Sequence, residues 1–199
     1  MRDATVCRKT AETDIQLTLA LDGAGACEAK TGCGFLDHML TLFARHGRFD
    51  LRVLCVGDTD VDDHHSVEDV GIALGEAFSV AMGEKRGVER YGSCLLPMDE
   101  ALALVAVDLS GRGLLCYEAA LPTEKIGTFD TQLIKEFFMA FAREARVTLH
   151  IRALAGENSH HIAEAMFKGF GRAMRQAVRV DPELGGEIPS TTGTLGGGV

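Results

Sequence analysis

Tryptophan is absent from this chain of 199 residues, and aromatic residues make up only 6% of it. A base-stacking platform for single-stranded nucleic acid therefore has little to be built from. Positive charge is also short: 20 Lys and Arg stand against 29 Asp and Glu, a formal net charge of −9. An acidic domain is a poor general binder of nucleic acid, and any anionic ligand needs a local cluster of cations. Long hydrophobic runs are missing as well. The longest, ALALVAV at 101–107, falls far short of a membrane span, and the opening MRDATVCRKTAETD lacks the apolar stretch of a secretory signal. Cysteines 7, 27, 33, 55, 94 and 116 include no CxxC pair. In a chain with enough apolar sequence for its own core, that scatter favours reduced thiols over a disulfide framework. The expectation is a soluble cytoplasmic protein with neither nucleic acid nor membrane as partner. What the chain does have is an ordinary globular balance, 46% hydrophobic and 25% charged, and seven histidines, four of them in two HH pairs.

Those pairs expose an internal repeat. HMLTLFARHGRFDLRV (38–53) and EFFMAFAREARVTLHI (136–151) share Phe-Ala-Arg, then Arg48 with Arg146 and Leu51 with Leu149, at a constant offset of 98. DDHHSVEDVGIALGEA (62–77) matches NSHHIAEAMFKGFGRA (158–173) at an offset of 96, and LDGAG (21–25) matches LSGRG (109–113). The expected organisation is a single domain over 1–199, with repeats of about 1–97 and 98–185 and a Gly-rich tail over 186–199. Each half reads as strand, turn, strand, helix, strand, helix. DIQLTLALD alternates at period two, FLDHMLTLFARHG has helical spacing, FDLRVLCV is a strand, and a long helix follows with Asp62 as its cap. Gly71 and Gly75, four apart on that helix, predict close approach by another helix. Two such α+β units place four helices between two sheets.

HHSVE (64–68) and HHIAE (160–164) both fall at a helix start. The glutamate is i+4 from the first histidine and i+3 from the second, while adjacent imidazoles diverge by about 100°. One ion cannot readily take both, so each pair points to two different metals. Imidazole with carboxylate is a ligand set for divalent transition metals, zinc, iron and nickel among them. The repeat proposes the rest. His38 begins the shorter helix of the first half and Glu136 is its counterpart. His150 aligns with Arg52 on a strand and ranks below Glu136. Each half then supplies a His or Glu, two His and one Glu: His38, His64, His65 and Glu68, and Glu136, His160, His161 and Glu164. These eight serve two ions, with positions left for water or substrate. His46, aligned with Glu144, is taken as a surface residue. Ferritin-like di-iron sites use Glu-x-x-His, the reverse polarity.

The sequence resembles the imidazoleglycerol-phosphate dehydratase family of histidine biosynthesis over nearly its whole length. The resemblance rests on RKTAETDI (8–15), GFLDHML (34–40), DDHHSVEDVGIALGEA, RYG (90–92), PMDEALA (97–103), DLSGRG (108–113), TLHIRALAGENSHHIAEAMFKGFGRA (148–173) and PST (189–191). It implies an α+β fold of duplicated half-domains, of the ribosomal protein S5 domain 2-like type, with helices between two mixed four-stranded sheets. It also implies a lyase with two Mn2+ per subunit, other divalent transition metals being possible, assembled as a 24-subunit homo-oligomer with metal sites between subunits. The substrate implied is D-erythro-imidazole glycerol phosphate, dehydrated to imidazole acetol phosphate through an imidazolate and a diazafulvene-type intermediate. Glu12 is implied as the acid–base carboxylate, and Arg90, Arg112, Lys168 and Ser190 as phosphate contacts.

The chain departs from the family pattern at three places. Thr192 stands where many members have Lys, Thr41-Leu42 where many have Asp-Gln, and Glu136 where many have His. Carboxylate can replace imidazole at manganese, so Glu136 stays in the ligand set. Two other readings fit paired histidines: a metal-stabilised shell in which they only bridge subunits, and a binuclear hydrolase of phosphorylated small molecules.

Overall fold

Period-two alternation in TDIQLTLA buries Ile15, Leu17 and Leu19 and turns Asp14, Gln16 and Thr18 outward, which makes this strand the inner member of a one-sided sheet. The computed structural model describes residues 2–196; the last three residues of the tail, 197–199, lie outside the described residues. The first sheet contains β1 (Asp3–Lys9), β2 (Thr13–Ala20), β3 (Cys27–Lys30) and β4 (Asp50–Gly57) in the order β1-β2-β4-β3, with only the β3–β4 pair parallel. The second contains β5 (Tyr91–Met98), β6 (Ala101–Asp108), β7 (Leu114–Glu118) and β10 (Thr148–Ala155) in the order β5-β6-β10-β7, and again only the last pair is parallel. A small hairpin, β8 (Lys125–Ile126) with β9 (Phe129–Asp130), lies between them in sequence.

Four helices fill the space between the sheets: α1 (Gly34–Gly47), α2 (His64–Met82), α3 (Leu133–Ala145) and α4 (Ser159–Val178). The first two lie on the first sheet and the last two on the second, while α1 packs along α4 and α2 along α3. The scarce aromatics are concentrated in this layer. Eight of the ten phenylalanines, among them Phe43, Phe78, Phe141 and Phe170, are fully buried there. Each contributes on the order of 1.5–3 kcal/mol by burial. Gly71 and Gly75 face α3 as their spacing predicts: a Cβ on Gly71 would stand 2.8 Å from the Phe137 carbonyl oxygen, and one on Gly75 2.8 Å from Glu144 Cβ.

The repeat is visible in the backbone. Arg48 and Arg146, matched in sequence, end α1 and α3 in the left-handed region at φ 56° and 54°, each followed by a residue whose N–H returns to the last helical turn. The spacing reads three strands per half, whereas each sheet has four. The additional ones are the edge strands β1 and β5. DATVCRK lacks a clean alternation, and YGSCLLPM contains Gly92 and Pro97. Proline is tolerated because β5 is an edge, and Gly92 is required because a Cβ there would lie 1.9 Å from the Ala173 carbonyl oxygen. The sheets accordingly divide the chain between Met82 and Tyr91, seven residues before the 97/98 division of the sequence repeat begins its second half. No described helix is long and apolar enough to cross a membrane.

Candidate metal centre

Both HH pairs sit in the first turn of a helix because a polar side chain just upstream accepts the free backbone N–H groups. Asn158 Oδ1 accepts from His160 N–H at 2.9 Å and His161 N–H at 3.3 Å. Asp62 Oδ1 accepts from His64 N–H at 2.8 Å, although Asp63 occupies the cap position itself and makes no side-chain bond there. The i+4 geometry then selects the partner. His160 Nε2 lies 3.1 Å from Glu164 Oε1, and His38 Nε2, arriving from α1, lies 2.8 Å from the same oxygen. The three donor atoms are all within 4.8 Å of one another. Lys168 Nζ donates to the other oxygen, Oε2, at 2.6 Å. Burial opposes ionisation of Glu164, but hydrogen bonds from Lys168, His38 and His160 outweigh it and hold the carboxyl down at about 2. Of the two phenylalanines left out of the fully buried set of eight, Phe35 borders this cluster, meeting the His160 ring edge-on at 5.5 Å, and its other side packs on the Phe129 ring at 4.7 Å.

Two imidazole nitrogens converging on one carboxylate oxygen are the donors a divalent transition metal takes, with open positions left for substrate. The residues fit such an ion. The cluster also joins the halves: His38 belongs to the first and His160 and Glu164 to the second, so these three candidate ligands are combined across the repeat. The counterpart set is looser. His64 Nε2 stands 3.5 Å from Glu68 Oε2, and the half-buried Glu136 on α3 joins no cluster with them among the described residues.

The second histidine of each pair turns away, as the helical geometry requires; the His64 and His65 ring planes are 81° apart. His65 Nδ1 pairs with Asp58 at 2.9 Å and leaves Nε2 3.7 Å from Glu12 Oε1. His161 repeats the arrangement, with Nδ1 2.7 Å from Glu100 and Nε2 3.7 Å from Asp99. The hydrogen-bonded carboxylate raises each imidazole above its ordinary value, and His161 with the Asn158 N–H holds Glu100 at about 2. A carboxylate on one ring nitrogen fixes the tautomer and aims the other nitrogen. Sequence reasoning missed Asp58 and Glu100 in this role. The PMDEALA stretch carries Asp99 and Glu100, but nothing in linear order ties it to a helix sixty residues on.

Glu12 lies on the turn between β1 and β2, its side chain half-exposed. Thr10 Oγ1 accepts the N–H groups of Glu12 and Thr13, and the buried Asp69 of α2 binds both Arg8 and Thr13 on either side of the turn. The turn is thereby pinned beside His65. The cations divide into two places. Arg90 forms a bidentate pair with Asp108 and donates to the Pro189 carbonyl at 2.9 Å, and its own carbonyl accepts from Leu109 N–H. Arg112, on the exposed turn after Leu109, and Ser190, beside Pro189, therefore share its end of the molecule. Lys168 is elsewhere, with Glu164 and 3.3 Å from Met98 Sδ at the opposite end of β5. That strand spans roughly 23 Å at about 3.3 Å per residue. His46 is half-buried, not superficial, and desolvation followed by the charges of Lys168 and Arg172 lowers its pKa. His150 is exposed on β10 between buried Leu149 and Ile151, on the face turned away from the helices.

The sequence profile described as imidazoleglycerol-phosphate dehydratase matches residues 31–174. The chain is 58% identical over 197 residues to the imidazoleglycerol-phosphate dehydratase of Rhodopseudomonas palustris (strain BisB5), covering 99% of this chain and 100% of that protein. The crystal structure of the Staphylococcus aureus imidazoleglycerol-phosphate dehydratase superposes with a TM-score of 0.82 at 41% identity, covering 90% of this chain and 99% of that one. The Pyrococcus furiosus structure gives the same score at 40% identity, covering 95% and 99%. By profile, by identity over its full length and by fold, this chain belongs to the imidazoleglycerol-phosphate dehydratase family.

Proposed function

We propose that the chain is a cytoplasmic hydro-lyase of histidine biosynthesis that converts D-erythro-imidazole glycerol phosphate to imidazole acetol phosphate with two divalent ions, Mn2+ by resemblance, per subunit. The observation that carries the reading is the convergence of His38, His160 and Glu164 in a chain of this family. These residues and the corresponding His64, His65, Glu68, Glu136 and His161 would hold the ions, which would supply positive charge that favours ionisation of the substrate's imidazole and so loss of the neighbouring hydroxyl.

The chain's own residues do the rest. Glu12, on its pinned turn, takes the proton from the carbon that becomes the ketone, and its partial exposure lets it return that proton to solvent. Arg112 and Ser190 offer donors to the phosphate, and Arg90 holds Ser190's segment through Pro189. Substrate ring and phosphorus are separated by about five bonds, some 7 Å. The phosphate end and the metal triad of one chain stand roughly three times farther apart along β5. One chain therefore offers its metal triad, with Lys168 beside it, and its donors Arg112 and Ser190 to different substrate molecules, which supports sites shared between subunits of a homo-oligomer and, by resemblance, a 24-mer. The aimed Nε2 atoms of His65 and His161, both at the periphery, suit the same arrangement.

The test is turnover. The purified protein incubated with Mn2+ and imidazole glycerol phosphate is expected to form the ketone without releasing inorganic phosphate. Glu12→Gln is expected to bind substrate while losing about 10²–10⁴ in kcat. Phosphate release without ketone would instead identify a hydrolase.

A further inference from the structure

Lys85 is the one lysine among the described residues that the fold buries, 7% exposed, and it has no carboxylate partner. It sits in the turn that follows α2, in the left-handed region at φ 58°, a conformation that a lysine holds only when its surroundings impose it. Its ammonium lies between two backbone carbonyls. One is Leu109 O at 3.2 Å, the residue that leads into the SGRG turn; the other is Leu195 O at 3.1 Å, at the end of the described tail. Desolvation, then the charge of Arg146, lower its pKa against the opposing pull of the Asp108 carboxylate. The two carbonyls are also in contact with each other's segments, since Leu195 is buried and Gly111, at φ 79°, leaves no room for a Cβ beside the Leu195 carbonyl oxygen. A charged donor with no acid to pair with has been placed where it joins two stretches of chain 86 residues apart.

We propose that Lys85 is a positioning residue that clasps the C-terminal strap, 188–196, to the SGRG turn, and so sets Ser190 and Arg112 at the spacing a substrate phosphate needs. The strap has few other ties. Glu187 O accepts from Gly87 N–H at its root and Pro189 O accepts from Arg90, while among the described residues the side chains of Ser190, Thr192 and Thr194 bond within the strap itself. At Thr192, where many relatives have Lys, the strap brings no cation of its own, so placement of the remaining donors carries more of the recognition. This inference rests on the phosphate roles of Ser190 and Arg112 in the reading above.

The experiment uses the full chain loaded with Mn2+. Lys85→Met keeps the stem and removes the donors; a chain truncated after Thr194 removes the Leu195 acceptor and leaves the buried site otherwise intact. Each is expected to raise KM for imidazole glycerol phosphate about tenfold, as loss of a charge-assisted hydrogen bond does, with kcat within about twofold. Hydrogen–deuterium exchange over 188–194, the part of the strap present in both, is expected to become fast in both while exchange in α2 and α3 is unchanged, and Lys85→Arg is expected to recover part of the Lys85→Met effect. Combining the two changes is expected to give about tenfold again rather than about a hundredfold, because they break one contact. Unchanged strap exchange in Lys85→Met, or KM effects that multiply in the double variant, would overturn the clasp. Fast strap exchange with unchanged KM would uphold the clasp and overturn the phosphate roles of Ser190 and Arg112. The exchange readout needs no substrate, so it decides the clasp even if the chain shows no dehydratase turnover.

Discussion

Replacing Gly75 by alanine tests whether the helix layer is as tight as the paired glycines demand. Two opposed effects act at this position. In a helix interior alanine is favoured over glycine by about 1 kcal/mol. Against it, the new Cβ would meet Glu144 Cβ at 2.8 Å, Phe141 O at 2.8 Å and Ala145 N at 2.9 Å. Carbon atoms rest at about 3.5–4.0 Å, so α2 and α3 must separate by roughly 0.7–1.2 Å. Two of the three obstacles are backbone atoms, which no rotamer change can move. Overpacking of this kind costs about 1–3 kcal/mol, and after subtracting the propensity gain the net loss is at most about 2 kcal/mol. For a chain of this size that lowers the unfolding midpoint by up to roughly 8 °C. Gly34→Ala is the control: it opens α1, and a Cβ there meets nothing within 4 Å. Scanning calorimetry at one protein concentration compares them. A Gly75→Ala midpoint equal to or above that of Gly34→Ala would refute the close-packed seam.

Asp50 accepts the N–H groups of Ala24, Gly25 and Ala26 at 2.9, 3.0 and 2.9 Å, which lowers its pKa below the ordinary 3.8. A carboxylate depressed by folding contributes stability above its unfolded pKa and loses it as pH falls through the folded one. Asp50→Asn is therefore expected to be less stable than the wild type at pH 7, with the gap in urea midpoint closing below the ordinary carboxylate value; a gap that persists unchanged in acid would contradict this. Sharing of sites between chains predicts complementation. Arg112→Ala and His160→Ala, each impaired alone, are expected to regain turnover when unfolded together and refolded as mixed oligomers, and no gain on mixing would count against shared sites.

The HHxxE pairs were legible because duplication repeats them, and helix geometry alone indicated that the two histidines of a pair part company. Both expectations describe neighbours in sequence, where spacing fixes distance. The i+4 contacts His64–Glu68 and His160–Glu164 belong to the same class. What linear order could not show is which half completes which cluster. His38 reaches the second half's histidine because α1 lies along α4, and that choice is made by the shape of the phenylalanine layer. The carboxylates that aim His65 and His161 come from loops set by strand register, and Lys85 is joined to Leu195 across 110 residues. Among the strands, β2 and β4 announced themselves by alternation. The edge strands β1 and β5 did not, since the exposed face of each is only partly covered and β5 tolerates a glycine and a proline.

Ions held by these histidines and carboxylates are proposed to make the chain a dehydratase. Stripping the protein with chelator, titrating Mn2+ back, and following bound metal and ketone formation together decides it. Turnover absent in the stripped protein, restored in step with binding and complete at two ions per chain, with the restoration lost in His160→Ala, is the expected result. Full ketone formation by the metal-free protein, or saturation at two ions with no ketone formed, would contradict it.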